Sequence, residues 1–175
     1  MDLYPERRQT LPPGPIWECA AGDGVLGDDL AAAGREVILS DIDPKRRGII
    51  RLDFLHDEPP AETEGSIAAT NPPFGKSELL DPFLARMMAL LDSGWLRAAV
   101  LLLRADATAT IGRSDILNRA VAEWTCCWRQ RWIPGTTGQP RWWFHWLVWL
   151  PGCSGPPVNR RVLKTDLREF EWVAE

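Results

Sequence analysis

The stretch Ile16-Trp17-Glu18-Cys19-Ala20-Ala21-Gly22-Asp23-Gly24 constrains the fold of this chain more than any other. It reads as a short apolar strand, a tight glycine turn and the start of a helix. That helix continues through Asp29-Leu30-Ala31-Ala32-Ala33 and stops at Gly34, a residue suited to a C-cap. Val37-Ile38-Leu39-Ser40 follows as a second strand, closed by Asp41. A third, shorter strand, Ile49-Ile50-Arg51-Leu52, leads into Asp53-Phe54. Strand, glycine turn, helix and strand form the nucleotide-binding half of a doubly wound sheet, and an acid ending the second strand is placed to hold ribose hydroxyls.

The remaining elements extend that sheet. Ser66-Ile67-Ala68-Ala69-Thr70 is an apolar run of strand length, and Ser77 caps a helix that passes through Leu84 to Leu91 and ends near Gly94. Met87 and Met88 belong to the buried face of that helix. Ala98-Ala99-Val100-Leu101-Leu102-Leu103 is continuously apolar, as a strand buried on both faces should be. Ser114 caps a further helix from Asp115 through Trp124. Two tryptophan-rich strands complete the set, Thr125 to Ile133 and Arg141 to Leu150, joined by the turn-rich loop Pro134 to Pro140. The expected fold is α/β: a Rossmann-like, doubly wound, mostly parallel seven-stranded sheet with a C-terminal antiparallel β-hairpin. A single domain is expected, with an extension over 1–15, a core over 16–150 and an irregular tail over 151–175.

Directly after the fourth strand stands Asn71-Pro72-Pro73-Phe74. Two prolines end the ladder and stiffen the loop at the strand's carboxyl end. The Asn71 amide oxygen and the Pro72 carbonyl can both accept hydrogen bonds from one –NH2 group, and Phe74 offers a flat face for a base. An exocyclic amine on adenine or cytosine is a poor nucleophile because its lone pair is delocalised into the ring. Two acceptors on its protons pull the nitrogen toward sp3 geometry and free that pair to attack. No histidine base is required, and the chain has only His56 and His145. His145, mid-strand, reads as a satisfied core residue.

Composition narrows the class. The net charge of −4 does not advertise nucleic-acid binding, yet seventeen of the twenty basic residues are arginines, several near loop ends. No leader-like opening and no membrane-length apolar run is present, so a cytoplasmic location and no membrane partner are expected. Cys19, Cys126, Cys127 and Cys153 have no Cys-x-x-Cys spacing and read as buried free thiols, with no metal expected.

Taken in order, these motifs resemble the class I S-adenosylmethionine-dependent methyltransferases, in particular the N6-adenine DNA branch that carries Asn-Pro-Pro-Phe or Asn-Pro-Pro-Tyr. The resemblance spans roughly residues 14–150 and is carried by about a dozen positions. It implies S-adenosylmethionine as cofactor, held by Glu18, Ala20, Gly22, Asp23, Gly24, Asp41, Ile42, Asp53, Phe54 and Asn71. Asp41 corresponds to the ribose-binding acid with Ile42 beside the adenine, and Asp53-Phe54 to the pair that bonds and stacks on that adenine. Asn71, Pro72, Pro73 and Phe74 correspond to the catalytic motif. In this class the final strand is reversed and inserted beside the others, and the His145 to Trp149 segment resembles the end strand of small phage-type members.

Ligands of such a sheet gather outside the carboxyl ends of its strands. Arg104 follows the fifth strand, Arg131 and Arg141 flank the hairpin loop, Lys76 follows the catalytic motif, and Trp142 lies where that loop enters its strand. These five are the candidates for touching DNA, the expected partner, with RNA also open. Most of the other tryptophans read as core. Gly22-Asp23-Gly24-Val25-Leu26-Gly27 also fits a dinucleotide fingerprint, but a hydride-transfer site has no use for Asn71 to Phe74. Three other readings stay open: methylation of an RNA base, methylation of a protein glutamine, and a non-catalytic cofactor-binding subunit. No separate target-recognition domain is visible, so a partner chain is a further expectation.

Overall fold

In the computed structural model of the protein, the described residues are 11–73, 77–127, 142–153 and 157–162. Strands β1 (Ile16–Glu18), β2 (Val37–Asp41), β3 (Ile50–Arg51), β4 (Ser66–Thr70), β5 (Leu96–Arg104), β6 (Ala122–Cys126), β7 (Phe144–Trp149) and β8 (Val158–Val162) form one sheet in the order β3-β2-β1-β4-β5-β7-β6-β8. The first five are parallel neighbours, with Trp17 of β1 opposite both Ile38 of β2 and Ala68 of β4. Strand β7 runs antiparallel between β5 and β6, pairing Leu102 with Trp146 and Trp124 with Trp146. The reversed strand is therefore inserted ahead of its predecessor.

Helices α1 (Val25–Ala32) and α2 (Ser77–Asp92) lie on opposite faces, which makes the sheet doubly wound, while α3 (Ala105–Thr108) and α4 (Ser114–Leu117) are single turns after β5. Alternation along β5 from Ala98 onward explains its share of both cores. Ala99, Leu101 and Leu103 point into the larger one with Trp17, Phe54, Leu84, Met87 and Trp149, on the α2 side. Ala98 and Val100 point into the smaller one with Ile16, Ile67 and Val148, against which Leu30 of α1 packs. Met87 and Met88 are buried as their helical spacing implied. Buried indoles find partners for their N–H groups: Trp17 donates to the Ser40 hydroxyl at 2.9 Å and Trp149 to the Ile116 carbonyl at 2.8 Å.

Several sequence expectations need correction. Among the described residues the sheet has eight strands, because Val158–Val162, in the tail read as irregular, pairs parallel to β6. Pro157 ahead of it and polar residues within it give this edge strand no apolar pattern. The helix expected to reach Trp124 is one turn ending at Leu117, and β6 begins at Ala122 instead of Thr125, since pairing with β7 claims Glu123 and Trp124. Cys153 is exposed and Cys127 half-buried, although Cys19 and Cys126 are buried and all four are free. Among the described residues no helix is long and apolar enough to cross a membrane.

Candidate functional site

The carboxyl ends of β1, β2, β4 and β5 bring Glu18, Asp41, Asn71 and Arg104 to one edge of the sheet, and the segment after β3 adds Asp53. The glycine turn that links β1 to α1 is tied to β2 at two points and to the loop after β2 at a third. The Ala21 N–H donates to the Ser40 carbonyl at 3.0 Å, and the Lys45 N–H to the Gly22 carbonyl at 3.2 Å. The Gly22 N–H donates to the Asp41 carboxylate at 2.7 Å, whose other oxygen accepts the Asp43 N–H at 2.8 Å. Asp41 thus shapes the turn as well as ending the strand.

Gly22 and Gly24 sit in the left-handed region at φ 57° and 86°, where a side chain would strain the backbone. A Cβ on Gly22 would meet nothing within 4 Å, so the space over the turn is open. Above Gly24 lies the Arg46 guanidinium, 2.6 Å from where a Cβ would stand and clasped to both oxygens of Asp28 at 2.6 Å each. Gly27, inside α1, lets the helix approach β2: a Cβ there would stand 2.3 Å from Leu39 Cδ2 and 3.0 Å from Glu18 Oε2. Ala20 is half-buried against the larger core, Asp23 is exposed at the turn, and Ile42 is 61% exposed beyond Asp41.

Glu18 is 3% exposed, and its Oε2 has no hydrogen-bond partner among the described residues. Burial pushes its carboxyl up to about 8, with Asp23 and Asp41 adding to the rise and the Gly27 N–H and Arg46 opposing it. The neighbouring Cys19 thiol is likewise raised, by burial first and then by Glu18 and Asp41. A buried carboxyl with an orphaned oxygen and two more carboxylates nearby suits a cationic ligand. At the end of β4, the Asn71 Oδ1 is also buried and without a partner among the described residues, and it is followed by a buried Pro72 and an exposed Pro73.

Asp53 stands at the same edge but is engaged locally. Its carboxylate meets the His56 ring at 2.9 Å and the Leu55 N–H at 2.9 Å, and the His56 bond is the main cause holding it below the usual carboxylate range. Phe54, beside it, is turned toward the core. Its ring is packed edge-on to Trp17 at 5.6 Å and against Phe83 at 4.3 Å, and at 6% exposure little of it is left for an adenine. An Asp-Phe step following a strand turns one side chain to the rim and the next inward, and the inward one here is the ring.

Arg104 forms a two-bond ion pair with Asp106 and stacks 4.5 Å from the Trp142 ring centroid. Trp142 and Trp143 are 46% and 43% exposed, so Trp143 is not the core residue that its strand-like setting suggested. His145 is part-buried and pairs with Glu123 across the β6–β7 ladder at 2.6 Å, a structural role. Phe74, Lys76, Arg131 and Arg141 lie outside the described residues. Sequence reasoning missed Arg46, which no motif marks. It also passed over Gly27 as a packing residue, though its place as the third glycine of the fingerprint was the available signal.

The chain is similar to the crystal structure of 23S rRNA methyltransferase ErmE, at 17% identity and a TM-score of 0.48, covering 91% of this chain and 68% of that one. No protein-family model matches the sequence, and no curated protein matches it.

Proposed function

We propose that this chain is an S-adenosylmethionine-dependent N-methyltransferase whose target is the exocyclic N6 amine of adenine in DNA. One observation carries the reading: the Asn71 Oδ1 is a buried acceptor without a partner among the described residues, at the carboxyl end of β4 and followed by a Pro-Pro step. An orphaned acceptor costs stability, on the order of 1–3 kcal/mol, and a substrate N–H would repay it.

The residues fit such a cofactor. The open space above Gly22, the orphaned Glu18 oxygen and the acidic cluster with Asp23 and Asp41 match a ligand bearing a sulfonium and an ammonium. Asp41, its carboxylate already aligned by two backbone N–H groups, retains lone pairs for ribose hydroxyls. When bound, the cofactor supplies a sulfonium-activated methyl group. The chain's part is positional: Asn71 and the Pro72 carbonyl hold the two amine protons, localise the nitrogen lone pair and aim it along the line of transfer. A base inside a duplex cannot reach these groups, so the target is flipped out or already single-stranded.

The test is incubation of the purified chain with labelled S-adenosylmethionine and separate pools of duplex DNA, single-stranded DNA and RNA, followed by nucleoside analysis. N6-methyladenine from DNA, lost in Asn71→Ala while cofactor affinity stays within about threefold, is the expected result. Product in the RNA pool alone changes the polymer. No product in any pool, with cofactor bound, moves the assignment to a protein amide or to a chain that works with a partner. Turnover by Asn71→Ala at the wild-type rate removes the basis of the reading.

A further inference from the structure

Among the described residues, Trp142 and Trp143 stand out as half-open indoles in a chain whose other placed tryptophans are mostly covered. They lie on the segment entering β7, which is fastened to the rim by the Ala105 N–H donating to the Trp143 carbonyl at 2.9 Å. Arg104, the last residue of β5, is opposite Phe144 in the ladder and carries its guanidinium 4.5 Å from the Trp142 ring centroid. Asp106 holds that guanidinium with bonds of 3.0 Å to Nε and 2.6 Å to a terminal nitrogen, fixing the plane of the fork.

The geometry points to Trp142, backed by Arg104, as a stacking shelf for the base next to the target in single-stranded DNA, an inference that rests on the methyl-transfer reading above. The position supports it. Leu101 of β5 pairs with Thr70, the residue before Asn71. Continuing that register sets Asn71 level with Leu102, so Arg104 lies two residues further along β5, roughly 7 Å at the rise of a strand, an offset that suits the base beside the target rather than the target itself. The chemistry supports it as well. Asp106 neutralises Arg104, so the pair presents a flat, polarisable face with no surplus charge for phosphate. Aromatic shelves of this kind accept any base, because every base has a π-face, and they need that base unstacked from a duplex. The shelf therefore selects strandedness and not sequence.

The experiment measures binding of a fluorescein-labelled single-stranded oligonucleotide with one adenine, and of its duplex, by anisotropy over a salt series. Wild type, Trp142→Ala and Trp142→Phe are compared with S-adenosylmethionine present, and cofactor affinity is followed separately by calorimetry. Trp142→Ala should weaken single-strand binding about tenfold to a hundredfold. Trp142→Phe should restore most of it, and duplex binding should change less than about twofold. The slope of log affinity against log salt should not change, because no phosphate contact is removed. Unaltered single-strand binding in Trp142→Ala overturns the shelf, as does the absence of any strand binding by cofactor-loaded wild type. A salt slope smaller by about one overturns it in favour of a phosphate contact by Arg104. Loss of cofactor binding in the wild type would instead sink the methyl-transfer reading, a separate and distinguishable failure.

Discussion

Glu18 makes the folded state sensitive to pH in a direction opposite to most carboxylates. Its carboxyl is buried and one oxygen is unpartnered, and its pKa stands at about 8 against an ordinary 4.5. The unfolded chain gives up this proton above pH 4.5, while the native state keeps it until about pH 8. The native state therefore binds more protons throughout that window, and stability falls as pH rises. The contribution is intact below pH 4.5, and at 1.36 kcal/mol per pKa unit about 3 kcal/mol is gone by pH 7 and nearly 5 above pH 8. Glu18→Gln keeps the shape and an acceptor for the Gly27 N–H but cannot ionise. Urea denaturation of both proteins at pH 5, 6, 7 and 8 should show the variant gaining on wild type by roughly 1 kcal/mol per pH unit. A stability difference that stays constant from pH 5 to pH 8 would refute the argument, since Glu18 would then be ionised across the range. A cationic cofactor seated over Glu18 should draw the same proton off. Its binding at pH 7 should release protons in wild type and none in Glu18→Gln, as read by calorimetry in buffers of different ionisation enthalpy.

Two further substitutions test the walls of the site. Gly27→Ala puts a methyl 2.3 Å from Leu39 Cδ2, so the helix-favouring effect of alanine should be outweighed and the protein should lose about 1 kcal/mol net in urea melts. A stabilised Gly27→Ala would mean that Leu39 turns aside without cost. Phe54→Leu removes the ring contacts to Trp17 and Phe83 and should cost about 1–2 kcal/mol of stability. Cofactor affinity should stay within about twofold, and a tenfold loss in a protein that is still folded would place Phe54 in the binding site.

How far the sequence could be read depended on what each element answers to. The runs at 66–70 and 98–103 were legible because strands covered on both faces must be apolar throughout, and both are buried almost completely. The first glycine turn was legible because its backbone needs positive φ at Gly22 and Gly24. Strand β8 was not, because an edge strand is held by hydrogen bonds to a single neighbour and its side chains carry little pattern. The start of β6 was hidden for a related reason, since only its pairing with β7 decides that Ala122 to Thr125 extend. Arg46 was hidden too, because its position over Gly24 is set by an ion pair to Asp28, eighteen residues away in sequence. Phe54 owes its orientation to packing that the motif does not carry. The order Asp-Phe was found, but which side of the loop the ring takes is decided by the space between Trp17 and Phe83.

Buried polar atoms without partners separate into two kinds, and the separation bears on where a ligand binds. Ser66 Oγ and Arg86 Nε are among them, yet Ser66 opens β4 at the end of the strand away from Asn71, and Arg86 lies on α2 with another nitrogen bonded to the Asp57 carbonyl. Being orphaned therefore does not by itself mark a binding atom. Glu18 Oε2, Thr70 Oγ1 and Asn71 Oδ1 differ in sharing one edge, the carboxyl ends of the adjacent strands β1 and β4. That is the edge where an open parallel sheet receives its ligands. Asp41 belongs to the same edge with both carboxylate oxygens already bonded to backbone, so it requires no ligand for its own satisfaction. The division of labour follows from this: Asp41 builds the turn whether or not anything is bound, whereas Glu18 and Asn71 are left incomplete by the protein alone.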